Sequence, residues 1–399
     1  MTFSFYLNKQ LITWTALILV VCTPGLSKAR TTGVLLSDDQ AKTLYAHNAD
    51  KLFIPASITK ILTSTFVLET LSPGYRFETW VGYNPLNFDL YIKGFGDPLF
   101  ISEQIQELVA KIIHITQTRS FRNIILDHGF FHPDISIPGT GKTKNPYDAT
   151  TGALCANFNT LFCKWDKAEN RFVSAEPQTP MLDIFKDEIK ISGQTHGRIL
   201  LSRHQRRLYP GLLIKAFLEN KNIGVTGIVK EGACSDEPGI KFRFKSSFAL
   251  NQVIEKLLKF SNNFMANQLM LTMGAMEYGA PATLEKGVAH LKQFAEKKLG
   301  LKDFFLVEGS GLSRQNQFSP RQMLKILMAF MPHHSLMKKQ GNQFYKTGTL
   351  SDVRTRAGYF VGEDARLYPF VIMVNETTTG YTDILRKLKN IVSGVSNNH

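Results

Sequence analysis

The sequence predicts an α+β fold in which one antiparallel sheet, flanked by helices, is completed by strands from both ends of the chain. Thr32–Leu36 and Lys42–Tyr45 contain apolar runs separated by a short polar turn, which is typical of a β-hairpin. Arg356–Val361 and Leu367–Val374 form a second such pair near the other end. Since helical patterns lie between the two hairpins, both ends are expected to join one sheet.

The first hairpin is followed by a predicted helix. Pro55 suits a helix start, and the run Ile58–Leu71 is rich in Ile, Leu, Thr and Val. Two further helical runs meet at Ser261, which is therefore expected at a junction between helices. These later predicted helices are Phe248–Phe260, Asn263–Met273 and, at the end of the chain, Thr382–Val392.

The middle of the chain is predicted to be an inserted β-rich domain or domains, residues 73–245. Its pattern is one of short strands and turns. The predicted elements are strands at Phe77–Val81, Leu90–Lys93, Asn123–Leu126 and Val225–Val229, and one helix at Leu212–Glu219. The predicted catalytic domain then comprises residues 30–72 plus 246–399.

Residues 1–29 have the pattern of a signal peptide. Lys9 precedes the apolar run Leu11–Cys22, which is shorter than a typical membrane span, and Ser27–Ala29 is a small-residue cleavage site. A lipoprotein anchor at Cys22 is disfavoured because two valines precede it. Cleavage would lower the net charge from +14 to +12, since the segment holds two lysines and no acidic residue. A surplus of this size suits anionic polymers or membrane surfaces. No nucleic-acid motif accompanies it, and export argues against nucleic acid.

Three short motifs point to serine acyl transfer: Ser57–Lys60, Ser261–Asn263 and Lys346–Gly348. On a helix, positions i and i+3 share a face, so Ser57 and Lys60 would lie side by side. A lysine with a depressed pKa can take the proton of a serine hydroxyl, which makes Ser57 the candidate nucleophile and Lys60 the candidate base. The backbone N–H groups of Ser57 and Thr349 could form an oxyanion hole if the Lys346 strand passes alongside.

The motifs lie within longer segments of a recognisable pattern, together with segments elsewhere: Pro55–Lys60, Lys93–Pro98, Ile125–Asp127, Asn145–Ala149, Gly309–Arg314 and Lys346–Leu350. These segments resemble the class C low-molecular-mass penicillin-binding proteins, the periplasmic serine D-alanyl-D-alanine carboxypeptidases and endopeptidases. The resemblance extends from about Gly33 to the last helix. It implies a penicillin-recognising transpeptidase fold with inserted β-rich domains and an enzyme that needs no cofactor or metal. The implied partners are peptidoglycan peptides ending in D-Ala-D-Ala, with β-lactams as covalent inhibitors.

Acyl transfer on a C-terminal peptide assigns roles to the remaining motif residues. Lys346 and Thr347 would bind the substrate carboxylate, and Gly348 would let the substrate backbone approach the strand. Ser261 would relay a proton to the leaving D-alanine, while Asn263 would contact Lys60 and the substrate amide.

By resemblance, two further residues are expected to recognise a diaminopimelate side chain. Asp148 would meet its amine and Arg314 its carboxylate. Ser351 stands where relatives carry a larger polar residue, so selectivity is expected to differ. A cap for Asp148 and a surface ion pair for Arg314 are the alternatives.

Other readings are weaker. His128 and His132 lie among carboxylates, but Gly129 and Pro133 break any helix that would align them as metal ligands. The second Ser-x-x-Lys match, Ser335–Lys338, is interpreted as a surface helix. A β-lactamase is disfavoured by the large insertion, and a non-catalytic cell-wall binding protein by the complete motif set.

Three cysteines, Cys155, Cys163 and Cys234, would survive signal cleavage. A bridge between the first two and unpaired buried thiols are both open. The sequence also leaves three questions open: the balance between carboxypeptidase and endopeptidase activity, peripheral membrane association, and formation of a homodimer.

Overall fold

The computed structural model describes residues 31–141, 149–234, 239–375 and 380–396. The strands are β1 (Thr31–Ser37), β2 (Thr43–His47), β3 (Glu78–Asn84), β4 (Asp89–Gly94), β5 (Ser120–Phe121), β6 (Ile124–Asp127), β7 (Thr160–Asp166), β8 (Arg171–Ser174), β9 (His196–Leu200), β10 (Gly224–Val225), β11 (Val229–Glu231), β12 (Ile240–Lys245), β13 (Lys338–Gln340), β14 (Gln343–Leu350), β15 (Val353–Val361) and β16 (Leu367–Asn375). The helices are α1 (Thr59–Leu71), α2 (Ser102–Thr116), α3 (Lys186–Ser192), α4 (Arg203–Glu219), α5 (Leu250–Phe260), α6 (Asn263–Tyr278), α7 (Leu284–Lys297), α8 (Pro320–Phe330) and α9 (Thr382–Ser396).

The largest sheet is antiparallel and has the strand order β13-β14-β15-β16-β1-β2. Strand β1, from the beginning of the described chain, pairs with β16, from its end, with Thr32 opposite Val374. Both predicted hairpins are therefore present, and they meet in one sheet as predicted. Strand β16 is almost continuously apolar because both of its faces are covered. Val371 and Met373 face the core around α1, while Phe370 and Ile372 join the cluster beneath α9.

The segment between α1 and α5 contains more helix than the sequence pattern predicted. A five-stranded sheet, β11-β6-β4-β3-β12, shares its core with α2 and α4, and a separate sheet has the order β8-β7-β9. The predicted helix Leu212–Glu219 is only the second half of α4. Helix α2 was not predicted, although Ile105, Leu108, Val109 and Ile112 are spaced for one buried face.

One predicted strand, Val225–Val229, is wrong as a continuous element. Strand β10 ends at Val225 and β11 begins at Val229. Between them the Gly227 N–H donates to the Arg122 carbonyl at 2.7 Å, and the Ile228 N–H donates to the Asn123 side chain at 3.1 Å. Because of these bonds, the chain turns between β10, which pairs with β5, and β11, which pairs with β6.

Helices α5 and α6 meet at Ser261, as predicted. Ser261 has φ +54°, which ends α5, and the Asn262 side chain caps α6 by accepting from the Met265 N–H at 3.1 Å. Helix α1 is buried along most of its length in a core shared with α5, α6, α7 and α8. Among the described residues, no helix is both long and apolar enough to cross a membrane.

Cys155 and Cys163 are buried, unbridged thiols, and Cys234 is also unbridged. Burial raises the pKa of Cys155 to about 12 and also raises that of Cys163. The structure thus contains no Cys155–Cys163 bridge. The predicted signal segment, residues 1–29, lies outside the described residues, and so does Asp148.

Candidate active site

The candidate nucleophile lies in a 3-10 turn, Ala56–Ile58, directly ahead of α1. Ala56 has φ +49°, a left-handed conformation that a residue with a Cβ seldom adopts. Hydroxyl groups fix the turn from both sides. Thr355 donates to the Pro55 carbonyl at 2.8 Å, and Thr59 donates to the Ala56 carbonyl at 2.9 Å. Ser57 is therefore held in one orientation before any substrate binds.

Lys60 places its amine beside this hydroxyl. The Lys60 Nζ lies 3.0 Å from Ser57 Oγ, 2.7 Å from Asn263 Oδ1 and 2.7 Å from the Ser310 carbonyl oxygen. A neutral amine has two hydrogens and one lone pair. The two hydrogens can be donated to Asn263 and Ser310, which have only acceptor oxygens here, and the lone pair then faces the Ser57 O–H. The contacts thus match the partner set of an uncharged lysine acting as a base.

The electrostatics favour that neutral state. Complete burial of Lys60 and, secondarily, the nearby Lys346 ammonium lower the pKa of Lys60 well below the ordinary value of a lysine. The Glu308 carboxylate opposes this shift. Removing a charge from water and placing it near a like charge both disfavour ionisation, so the two larger effects act in the same direction.

Ser261 and Lys346 form the opposite side of the site. Lys346 Nζ donates to Ser261 Oγ at 2.7 Å and to the Thr347 carbonyl at 2.7 Å. Lys346 is 3% exposed, and burial lowers its pKa to about 8. The structure thus brings together Ser57, Lys60, Ser261, Asn263 and Lys346, all predicted from sequence.

Strand β14 passes alongside the Ser57 turn, which is the condition that the proposed oxyanion hole requires. A Cβ built on Gly348 would lie 2.8 Å from the Ser57 backbone nitrogen and 2.9 Å from the Ala56 Cβ. Glycine is therefore needed at position 348 so that β14 can pack against the Ser57 turn. The sequence analysis predicted only that Gly348 admits the substrate backbone. Strand β13 pairs only with Gln343–Tyr345, and no described strand pairs with the following part of that edge. Thr347 and the exposed Thr349 lie along this open edge.

Glu308 was not predicted, yet it organises the loop that supplies the Ser310 carbonyl. Its fully buried carboxylate accepts from the Ser310 N–H at 2.7 Å, the Gly311 N–H at 2.6 Å and Asn316 Nδ2 at 2.8 Å. Asn267 Nδ2 donates to it at 3.1 Å. Its position directly before Gly309–Arg314, one of the segments that carry the family resemblance, is the sequence feature that could have pointed to it.

Gly311 explains why that loop sits so close to the nucleophile. It has φ +79°, and a Cβ on it would lie 1.8 Å from the Ala56 carbonyl oxygen. Thr63 also donates to the Gly309 carbonyl at 2.6 Å. The loop is therefore packed directly against the turn that carries Ser57.

Comparison with known proteins identifies the family. The profile of the D-Ala-D-Ala carboxypeptidase 3 (S13) family matches residues 19–340. The chain belongs to this family. A curated relative, the D-alanyl-D-alanine carboxypeptidase DacB of Haemophilus influenzae, is 26% identical over 412 residues, covering 86% of this chain and 84% of the relative. The predicted resemblance to class C penicillin-binding proteins is thereby confirmed.

Solved structures support the predicted fold of this S13 family member. Penicillin binding protein 4 (dacB) from Haemophilus influenzae has a TM-score of 0.74 at 18% identity, over 92% of this chain and 97% of that one. A predatory peptidoglycan endopeptidase from Bdellovibrio bacteriovorus has a TM-score of 0.54 at 18% identity, over 92% of both chains. The Bdellovibrio protein has also been solved in a form acylated by penicillin G, and the Haemophilus protein in complex with a β-lactam.

Arg314, the predicted carboxylate-binding residue, lies at the far end of β14 in this S13 family member. Its guanidinium donates to Ser351 Oγ at 2.7 Å and pairs with Asp352 at 2.5 Å. This contact holds the pKa of Asp352 below its usual value. Arg314 is exposed, so a substrate carboxylate would have to compete with Asp352 for it.

The two alternative sites suggested by the sequence, a metal site around His128 and a second Ser-x-x-Lys site at Ser335–Lys338, differ from the Ser57 site in their contacts and burial. The His128 ring bonds the Arg207 carbonyl at 3.0 Å, and Asp127 pairs with Lys93 at 3.3 Å. No group of three or more metal-ligating side chains occurs in the described part of the chain. Ser335 lies exposed in a 3-10 turn rather than an α-helix, and Lys338 is exposed at the start of β13. They are far less buried than Lys60.

Proposed function

We propose that this protein is an exported serine enzyme that hydrolyses D-alanyl-D-alanine bonds of peptidoglycan peptides through an acyl-enzyme on Ser57, and that β-lactams acylate the same residue. The observation that carries the proposal is the buried Lys60 amine, 3.0 Å from Ser57 Oγ and held by two acceptor oxygens. Family membership supports the substrate class.

Acylation begins when Ser57 Oγ attacks the carbonyl carbon of the penultimate D-alanine. Lys60 Nζ accepts the hydroxyl proton as the bond forms. The negative charge that develops on the carbonyl oxygen is placed between the N–H groups of Ser57 and Thr349. No second titratable base is needed, because the Lys60 lone pair already faces the hydroxyl.

Collapse of this intermediate breaks the amide C–N bond, and the leaving amine must gain a proton. The proton passes from Lys60 through Ser261, whose hydroxyl also accepts from Lys346. Asn263 holds the Lys60 amine during this transfer. Water then attacks the Ser57 ester with Lys60 again as base, which releases the shortened peptide and regenerates the serine.

The terminal carboxylate selects the cleavage position. The Lys346 ammonium and the Thr347 hydroxyl would bind it at the open edge of β14. Asp148 and Arg314 are proposed to bind the amine and carboxylate of a diaminopimelate side chain, with Asp352 released from Arg314 when that carboxylate arrives. The predicted domain boundaries and the periplasmic location belong to this same proposal.

Covalent labelling by fluorescent penicillin tests the proposal, followed by measurement of D-alanine release from a pentapeptide. We expect the wild-type protein to be labelled and to release D-alanine, and Ser57→Ala to do neither, because the acyl bond has no other acceptor. Ser335→Ala is the matched control, since it removes the serine of the second Ser-x-x-Lys match, and it should behave as the wild type.

Each other outcome points to a different protein. Labelling that persists in Ser57→Ala would place the acyl group elsewhere and overturn the assignment. A wild-type protein that takes no label and releases no D-alanine would favour the non-catalytic cell-wall binding protein. Rapid turnover of the penicillin without peptidase activity would favour a β-lactamase.

A further inference from the structure

Three large apolar side chains are exposed together at one end of the five-stranded sheet between α1 and α5. Leu86 and Phe88 lie in the turn between β3 and β4 and are 84% and 48% exposed. Ile228, directly before β11, is 62% exposed. Single exposed apolar residues are ordinary on a protein surface, whereas a contiguous group marks an interaction site. Leu86, Phe88 and Ile228 are called the apolar tip below.

Backbone hydrogen bonds join the two segments that carry the apolar tip. The Arg122 N–H donates to the Phe88 carbonyl at 2.8 Å, and the Arg122 carbonyl accepts from the Gly227 N–H at 2.7 Å. Gly227 directly precedes Ile228, whose own carbonyl accepts from the Ile124 N–H at 3.0 Å. Arg122 therefore connects the β3–β4 turn to the segment that carries Ile228.

The β3–β4 turn is fixed by its own hydrogen bonds. The Leu86 N–H donates to Asn84 Oδ1 at 2.9 Å, and the Phe88 N–H donates to the Asn84 carbonyl at 2.8 Å. Phe88 has φ +61°, a left-handed conformation that a bulky residue seldom adopts. Neither Leu86 nor Phe88 belongs to the core beneath this sheet, so core packing does not account for the strain.

The exposed charges next to the apolar tip are positive. Arg122 and Lys230 are exposed, and neither forms an ion pair within the described part of the chain. Glu231, the residue after Lys230, is already paired with an arginine. Asp89, the residue after Phe88, is largely buried and accepts from an asparagine side chain at 2.8 Å.

Apolar side chains beside unpaired cations match the surface of an anionic bilayer. The apolar groups can enter the boundary between headgroups and acyl chains, while the cations stay at the negative headgroups. The net charge of the whole chain, +14, has the same sign as the cations beside the tip. A polar sugar polymer would instead require hydrogen-bonding groups in place of Leu86, Phe88 and Ile228.

We propose that the apolar tip, together with Arg122 and Lys230, docks this protein on a bilayer surface that contains anionic phospholipids. The docking surface lies in the segment between α1 and α5, and none of its residues belongs to the Ser57 site. The inference therefore does not depend on the chemistry proposed for Ser57.

Cosedimentation with phospholipid vesicles tests the docking surface. The mature protein, without residues 1–29, is used because the apolar run of the predicted signal segment could itself bind lipid. The vesicles contain either a mixture of phosphatidylglycerol and phosphatidylcholine or phosphatidylcholine alone. We expect binding to the mixed vesicles to be about tenfold stronger or more, and to weaken as salt is added, because salt screens the attraction between exposed charges.

Two independent variants remove the two features of the surface. Leu86→Ser combined with Phe88→Asn removes apolar area, and asparagine adopts a left-handed conformation readily, so the turn should be kept. This double variant should bind the mixed vesicles about tenfold more weakly or less. Arg122→Glu should also weaken binding by about tenfold or more, because attraction to the headgroups becomes repulsion.

Phe305→Asn and Lys302→Glu are the matched controls, since they change an exposed phenylalanine and an exposed lysine far from β3 and β4 in the sequence. Both should bind within about twofold of the wild type, and thermal unfolding checks that every variant is folded. A folded wild-type protein that leaves the mixed vesicles unbound would overturn the inference. Full binding by either folded tip variant would also overturn it, as would an equal loss of binding in the controls.

Discussion

At the scale of single residues, the two lysines of the site have opposite requirements. In the proposed mechanism Lys60 must be neutral to accept the Ser57 proton, while Lys346 must be charged to bind a carboxylate. Burial lowers the pKa of both groups, and the Lys346 ammonium lowers that of Lys60 further. The two lysines can therefore be in their required states together only between the pKa of Lys60 and that of Lys346.

The pH dependence of kcat/KM for D-alanine release tests this pairing. Below the pKa of Lys60 the base is protonated and activity should fall; above about pH 8 the Lys346 ammonium is lost and activity should fall again. Lys346→Arg keeps the positive charge at high pH, so its alkaline decline should move upward. An alkaline decline that is the same in Lys346→Arg would assign it to another group.

Glu308 is expected to position Lys60 through the Ser310 loop. Glu308→Gln replaces one acceptor oxygen by an amide that faces N–H donors, which should lower the free energy of unfolding by about 2–3 kcal/mol. It should also slow penicillin acylation. Since the Glu308 carboxylate raises the pKa of Lys60, its loss should move the acid decline of kcat/KM to lower pH.

That shift in the acid decline distinguishes an electrostatic role from a purely structural one. Thermal unfolding measures the stability change, and a pH profile of acylation measures the shift. Glu255→Gln, an exposed change on α5, is the control. An unchanged acid decline in Glu308→Gln would reduce Glu308 to a packing residue.

At the scale of elements, local spacing predicted much of the site and contact between distant segments supplied the rest. The i, i+3 spacing of Ser57 and Lys60 predicted their contact, and two helical runs meeting at Ser261 predicted the junction. The role of Glu308 could not be predicted from local pattern. It depends on the contact between the Ser310 carbonyl and Lys60, which joins segments 250 positions apart. The tight packing of Gly348 against the Ser57 turn was hidden for the same reason.

The missed helix has a different cause. Helix α2 shows its apolar period plainly in the sequence, so the error lay in reading the middle segment as uniformly strand-rich. The split between β10 and β11 was beyond local pattern, because it depends on bonds from Gly227 and Ile228 to residues more than 100 positions away. Gly227 inside this run is a local sign of a break, but it does not show that the two halves pair with different strands.

At the scale of the whole molecule, the large sheet separates chemistry from stabilisation. One face packs against α1 and α8 and carries the site, which is assembled from segments near residues 57, 261, 308 and 346. The other face packs against α9, where Leu388 and Val392 are buried. Strand β16 belongs to both cores, so the α9 face supports the sheet without touching the reacting groups.

This separation predicts that α9 can be weakened without loss of chemistry. Leu388→Ala removes a fully buried side chain and should lower the free energy of unfolding by about 2–4 kcal/mol, because a cavity is left under the sheet. Well below the unfolding transition, the rate of penicillin acylation should stay within about twofold of the wild type, since Leu388 belongs to the cluster on the sheet face opposite α1. Lys389→Ala, the exposed neighbour, should leave both measurements unchanged. Acylation that slows in the folded Leu388→Ala protein would mean that the sheet transmits changes from one face to the other, and the nucleophile would then depend on packing across the entire molecule.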